Sequence, residues 1–146
     1  MPEILTAQQL TDIARQFGTP VYVYHAERIA EQYQKLKSAF SGCNAKFFYA
    51  AKALTNINIL KLLNGLGSGL DCVSINEVKL GLKAGFDKTN ILYTPNCVDL
   101  EEIEQAKELG VRINLDNISI LEQFGNKYGG SYPVSIRLNP HIMAGG

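Results

Sequence analysis

Leu70-Asp71-Cys72-Val73-Ser74, then Ile75, Val78 and Leu82 at helical spacing, then Gly85, then Ile91-Leu92-Tyr93-Thr94-Pro95: this stretch decides the fold. Two short runs of β-branched and aromatic residues flank an amphipathic segment, which reads as strand, helix, strand. The same unit recurs on both sides. Upstream stand Lys46-Phe47-Phe48-Tyr49-Ala50 and then Ile57, Leu60, Leu63 and Leu66 near one helical face. Downstream, Ile103, Ala106 and Leu109 lead to Arg112-Ile113-Asn114-Leu115-Asp116, and a last run is Val134-Ser135-Ile136-Arg137-Leu138. The starts of the five runs lie 21 to 24 residues apart, the length of one strand-loop-helix unit. Gly65, Gly67, Gly85 and Gly110 stand where helices need a left-handed C-cap, and Asn56 and Asp99 where they need an N-cap.

Alternating strands and helices imply a parallel sheet with right-handed crossovers. Two architectures satisfy that: an open doubly wound sheet, complete at this length, and a (β/α)₈ barrel, which needs roughly 200 residues or more. After the fifth run, Leu138-Asn139-Pro140-His141-Ile142-Met143-Ala144-Gly145-Gly146 reads as loop, with no helix to cover the last strand. The expectation is therefore an α/β fold, a partial TIM-type barrel of about five parallel strands, truncated. Residues 46–146 form its first five βα units, and residues 1–45 form a different lead-in. In that lead-in Leu5 to Phe17 reads as a helix with Thr6 as N-cap, Gly18-Thr19-Pro20 as a break, and Pro20 to His25 as a strand. Ala26 to Phe40 reads as a long helix with Ile29, Tyr33, Leu36 and Phe40 on one stripe.

Composition narrows the function classes. Of 146 residues, 46% are hydrophobic and 19% charged, enough apolar material for a core. Lys plus Arg and Asp plus Glu are 14 each, and this balance argues against a nucleic-acid partner, which wants a basic stripe. No apolar run approaches the ~20 residues of a membrane span. Met1-Pro2-Glu3-Ile4-Leu5 lacks the basic-then-apolar order of a secretory signal. Cys43, Cys72 and Cys97 are odd in number and widely spaced, so they read as reduced, mostly buried thiols of a cytoplasmic protein. His25 and His141 are too few for a metal cluster and read as structural or solvated. No metal site is expected.

In either architecture chemistry gathers at the carboxyl ends of the strands. Standing there are Lys52, Asp71 and Ser74 with Asn76 and Glu77 following, Thr94-Pro95-Asn96, Asp116-Asn117, and Arg137 with Asn139. Lys52 follows an apolar strand and sits between alanines. Burial would favour its neutral, nucleophilic amine, and small neighbours leave room for a planar adduct, the needs of a Schiff base with a carbonyl substrate or pyridoxal phosphate. The plainer reading is a lysine snorkelling at a strand end. Asp71 lies among apolar neighbours, so a cationic partner is expected, with Lys52 and Arg137 as candidates and a structural salt bridge as the plain alternative. Glu77 doubles as an ordinary first-turn acid. Gly65-Leu66-Gly67-Ser68-Gly69 follows a helix and precedes a strand, the reverse of a phosphate cradle, and reads as a tight connection.

Four motifs in order resemble the diaminopimelate decarboxylases, among the fold-type III pyridoxal-phosphate enzymes: Gly18-Thr19-Pro20-Val21-Tyr22-Val23-Tyr24, Phe48-Tyr49-Ala50-Ala51-Lys52-Ala53, Gly67-Ser68-Gly69-Leu70-Asp71-Cys72-Val73-Ser74 with Glu77, and Ile136-Arg137-Leu138-Asn139-Pro140. The resemblance implies a (β/α)₈ barrel followed by a β-domain, and a homodimer with its active site at the interface. It implies pyridoxal 5'-phosphate held covalently by Lys52, with Asp71 and Glu77 as acidic residues near that amine and Arg137 beside the cofactor. The implied reaction takes meso-diaminopimelate to L-lysine and CO₂, in lysine biosynthesis. Two features depart from the family. Its members are much longer, so this chain alone is expected to be inactive. Val73-Ser74-Ile75-Asn76-Glu77-Val78 also replaces the commoner Val-Ser-Gly-Gly-Glu-Leu, keeping the glutamate and losing two glycines. The alternatives are an ornithine- or arginine-type decarboxylase, a non-catalytic pyridoxal-phosphate-binding barrel, and an open-sheet receiver-like domain. The last wants acids where Lys52 stands.

Overall fold

The computed structural model describes residues 5–138 and 140. Asn139, His141 and residues 1–4 lie outside them. The chain divides into two compact units, residues 1–44 and 45–146.

The first unit holds α1 (Ala7–Phe17) and α2 (Ala26–Ala39). Thr6 caps α1 in a reciprocal box: its Oγ1 accepts from the Gln9 amide at 3.2 Å, and Gln9 Oε1 accepts from the Thr6 amide at 2.8 Å. His25 caps α2, its Nδ1 accepting from the Arg28 amide at 3.1 Å, so this histidine is structural. The expected strand Pro20–His25 does not form. Its residues join no ladder, and Val21, Tyr22, Val23 and Tyr24 are exposed. β-Propensity records fit to a pleated, half-buried surface, and without such a surface the residue types do not make a strand.

In the second unit each expected repeat is present. Its elements are β1 (Phe48–Ala50), α3 (Ile57–Gly65), β2 (Gly69–Cys72), α4 (Ile75–Lys83), β3 (Ile91–Tyr93), α5 (Leu100–Leu109), β4 (Arg112–Leu115), α6 (Ile118–Tyr128) and β5 (Val134–Ile136). All neighbouring strands pair in parallel, in the order β1-β2-β3-β4-β5. That order contains no reversal, so it is a stretch of barrel wall and excludes the doubly wound sheet and the receiver-like domain.

One face of the wall is the core. Leu70 and Cys72, Ile91 and Tyr93, and Ile113 and Leu115 alternate onto it. They pack with Leu60, Val78, Ile103, Ala106 and Phe124 from the helices. Each fully buried side chain of this size contributes about 1.5–3 kcal/mol. The intervening residues Asp71, Leu92 and Asn114 are only half-buried, and Arg112 is exposed. Asn56 and Asp99 cap α3 and α5 as expected, and Gly110 closes α5 at φ 74°. Gly67 and Gly85 also take positive φ, whereas Gly65 is the last residue of α3, and the C-cap after it is Leu66 in the right-handed region.

The cysteines follow the faces of the fold and correct one expectation, for Cys43 and Cys97 are exposed. Cys72 alone is buried. Burial, reinforced by the charges of Glu77 and Asp71, pushes its thiol up to about 12. Because only the thiolate reacts, at pH 8 a maleimide or disulfide reagent is expected to modify Cys43 and Cys97 quickly and Cys72 only after denaturation. Thiol counting before and after guanidinium addition, with mass mapping of the peptides, checks this.

Candidate active site

At the carboxyl end of β1 the chain turns at once into a 3₁₀ turn, Ala51–Ala53. The turn takes Ala51 into the core and leaves Lys52 exposed. The buried amine expected from the sequence is thus corrected: strand hydrophobicity ends with Ala51, one residue short of the lysine. Lys52 makes no ion pair among the described residues, and its chain neighbours Ala51 and Ala53 are small.

Asp71 lies on the adjacent strand, its backbone in register with Ala50, two residues before Lys52. The cationic partner expected for it is absent among the described residues. Its Oδ1 instead accepts from the Thr94 hydroxyl at 2.9 Å. Asp71 is only half-buried, so its desolvation is partial and a neutral donor suffices. Thr94 also extends the β2–β3 ladder, its amide donating to the Cys72 carbonyl at 2.7 Å.

Glu77 belongs to the turn that follows β2. Ser74 caps α4, its Oγ accepting from the Glu77 amide at 3.3 Å. Glu77 Oε2 in turn accepts from the Val73 amide at 2.7 Å. The carboxylate therefore pins the backbone beside Asp71. The two glycines missing from the family pattern are not needed here. Ile75 and Asn76 are helical, and Cys97 is the one non-glycine residue with positive φ among the described residues.

Arg137 follows β5, its amide donating to the Leu115 carbonyl at 2.7 Å. Its exposed side chain lines a cleft of about 260 Å³ with Asp116, Asn117, Ile118, Ile136 and Leu138. Two strands, β3 and β4, separate it from Asp71's strand, so the sheet puts the two at one end without joining them. The sequence reading missed Asn114. It lies on the half-covered face of β4, in register with Ser135 of β5, and its buried Oδ1 has no hydrogen-bond partner among the described residues. Glu102 was missed as well. Its Oε1 accepts from the Tyr93 hydroxyl at 2.5 Å and from the Ile75 amide at 3.1 Å. The signal for Asn114 was a polar residue inside an alternating strand. Glu102 has no local signal, because its partners lie 9 and 27 residues away. The described residues hold no cluster of three or more metal-ligating side chains.

An accessible primary amine flanked by alanines, with a carboxylate on the next strand, is a donor set that fits an aldehyde-bearing cofactor. Comparison with known proteins agrees. Residues 26–146 match the family model described as pyridoxal-dependent decarboxylase, pyridoxal binding domain. The chain is 43% identical over 136 residues to a diaminopimelate decarboxylase of Methanothermobacter thermautotrophicus, covering 92% of this chain and 32% of that protein. It is 38% identical to the one of Campylobacter jejuni, covering 90% and 34%. Among solved structures, the Helicobacter pylori diaminopimelate decarboxylase complexed with L-lysine superposes with a TM-score of 0.81 at 34% identity, over 91% of this chain and 35% of that one. A Vibrio vulnificus lysine/ornithine decarboxylase complexed with cadaverine gives 0.83 at 25% identity, over 98% and 39%. The chain spans about a third of the length of the curated relatives it matches.

The hydrogen bonds around β2 have measurable strengths. Glu77→Ala removes the acceptor for Val73 and is expected to cost about 1–2 kcal/mol in urea unfolding, with Glu77→Gln closer to wild type. Thr94→Val is expected to cost about 1 kcal/mol and Thr94→Ser little, because serine keeps the donor.

Proposed function

The chain belongs to the pyridoxal-dependent decarboxylases, and on that footing we propose that a protein built on it, carried to the length of its relatives, removes a carboxylate from an amino acid. We take meso-diaminopimelate as the substrate and L-lysine and CO₂ as the products. The observation that carries the reading is Lys52. Its primary amine stands accessible at the carboxyl end of β1, between alanines and beside the strand that presents Asp71.

Pyridoxal phosphate, when bound, supplies the electron sink that accepts the pair left by departing CO₂. The chain's own residues do the rest. Lys52 binds the cofactor through Nζ, which must be unprotonated to do so. Asp71, held by Thr94, offers a negative charge that holds the proton on Nζ whenever the amine is released. Glu77 fixes the turn behind Asp71 and keeps that carboxylate at the strand end. Arg137 binds an anionic group at the far side of the site. The atoms balance when one proton takes the place of the lost CO₂ on the substrate carbon.

The same reading divides the chain into a lead-in, residues 1–45, and the opening units of the cofactor-binding barrel, residues 46–146. It makes the whole protein a cytoplasmic homodimer. No helix among the described residues is long and apolar enough to cross a membrane. The 43% identity to a diaminopimelate decarboxylase, against 25% to the lysine/ornithine enzyme, favours diaminopimelate over ornithine.

The test uses the full-length protein. Borohydride reduction with pyridoxal phosphate is expected to fix one pyridoxyl group on the peptide containing Lys52, and none in Lys52→Ala. Capture at Lys46, Lys61 or Lys79 instead would contradict the assignment. CO₂ release should be fastest from meso-diaminopimelate in a panel with ornithine and arginine. Cofactor capture without turnover on any of the three would favour a non-catalytic binding protein.

A further inference from the structure

We propose that Glu102 is a positioning residue for the candidate site: from α5, on the core side of the sheet, it fixes the Val73–Ile75 turn and so the placement of Asp71.

A helix leaves its first amides without intrahelical partners, and they are usually satisfied by residues of the same turn. At α4 the Glu77 amide is satisfied locally by Ser74 Oγ, and the Val73 amide, one residue before the cap, by Glu77 Oε2. The Ile75 amide is different. Its acceptor is Glu102 Oε1 at 3.1 Å, from the first turn of the next helix, 27 residues along the chain. The same oxygen accepts from the Tyr93 hydroxyl at 2.5 Å. Asp99 Oδ1 caps the Glu102 amide at 2.9 Å and anchors the first turn of α5.

These bonds converge on the end of β3. Tyr93 is fully buried on the helix side and in register with Cys72. The next residue, Thr94, alternates to the other face and donates to Asp71. Tyr93, the last residue of β3, and Thr94, which follows it, therefore grip the end of β2 from both sides: Thr94 holds the Asp71 side chain, and Tyr93, through Glu102, holds the turn two residues further on. Burial and the Glu102 carboxylate raise the Tyr93 hydroxyl well above the usual phenol range, so it remains a donor throughout the working pH. A hydrogen bond to a charged acceptor is about twice as strong as a neutral one, which suits a tie between two βα units.

The functional part of this inference rests on the reading of Lys52 as the cofactor lysine, and the experiment separates the two. Glu102→Leu, Glu102→Gln and a core control, Phe124→Ala, are made in the full-length protein and compared at temperatures where each is folded. Three quantities are read: hydrogen exchange at the Ile75 amide, the carboxyl-carbon NMR signal of Asp71, and the pyridoxal phosphate concentration for half-maximal borohydride capture on Lys52. Glu102→Leu is expected to speed Ile75 exchange at least tenfold, to displace the Asp71 signal and to raise the half-saturation about tenfold. Glu102→Gln, which keeps an acceptor oxygen, should stay within about threefold of wild type in exchange and capture. Phe124→Ala should lower the melting temperature while leaving the Asp71 signal and the half-saturation in place. If Glu102→Leu leaves the Ile75 amide and the Asp71 signal unmoved, or behaves as the core control does, the positioning role is overturned. If wild type captures no cofactor at Lys52, the cofactor reading falls, and the exchange and Asp71 measurements still decide the role of Glu102.

Discussion

The structure depends on one constraint: every second residue of each strand must face the helices. Strand side chains alternate strictly, so a sheet with helices on one side sorts its sequence into two lists. Leu70, Cys72, Ile91, Tyr93, Ile113 and Leu115 make one list and are buried. Phe48, Ala50, Asp71, Leu92, Arg112, Asn114 and Ser135 make the other. Because the strands run in unbroken order, successive right-handed crossovers deliver each helix to the same face. The second face is thereby left free of α3–α6. A slip of one residue in any strand would exchange the two lists there, burying Asp71 or Asn114 against leucines.

That sorting makes a site possible. Carboxyl ends of parallel strands collect the turns where side chains escape the pleat, and here they bring Lys52, Asp71, Glu77, Thr94 and Arg137 to one end of the sheet. They are not equivalent. Lys52 is accessible and makes no ion pair among the described residues, while Asp71 and Glu77 are engaged with Thr94 and Val73. Because Asp71 and Glu77 are already held, ordering these acids is done on folding and not on binding. Close packing holds the amino end of the wall as well. A Cβ on Gly69 would stand 2.5 Å from the Phe48 ring, so the glycine lets that ring lie across β2. The Arg112 guanidinium sits 5.7 Å from the centre of the same ring.

Much of this was legible in the sequence, because it is written locally. The spacing of apolar runs located the five strands of the sheet, helix caps at Thr6, Asn56 and Asp99 were visible as residue types, and the motifs around Lys52 and Asp71 carried the family. The failures share a cause. Pro20–His25 has strand composition, but strand formation needs a neighbouring ladder, which composition does not report. Lys52 was expected to be buried by its neighbours, and a 3₁₀ turn one residue earlier sent it outward. Asp71 was given a cation when a hydroxyl from the next strand satisfied it. Glu102 drew no notice, because what distinguishes it is the identity of a distant partner, and Asn114 showed only as a polar residue inside an alternating strand.

The central claim is that cofactor contact on this chain gathers at the carboxyl ends of the strands and that the helix side makes none. The most direct measurement is amide chemical-shift mapping during titration with pyridoxal phosphate, on the isotopically labelled full-length protein. The account predicts perturbations clustered at Lys52 and Ala53, at Asp71 to Ser74, at Thr94, and around Asp116 and Arg137, with Leu60, Val78, Ile103 and Phe124 unmoved. Perturbations concentrated on the α3–α6 helices, or at the amino ends of the strands around Phe48, Gly69, Ile91 and Arg112, would contradict it.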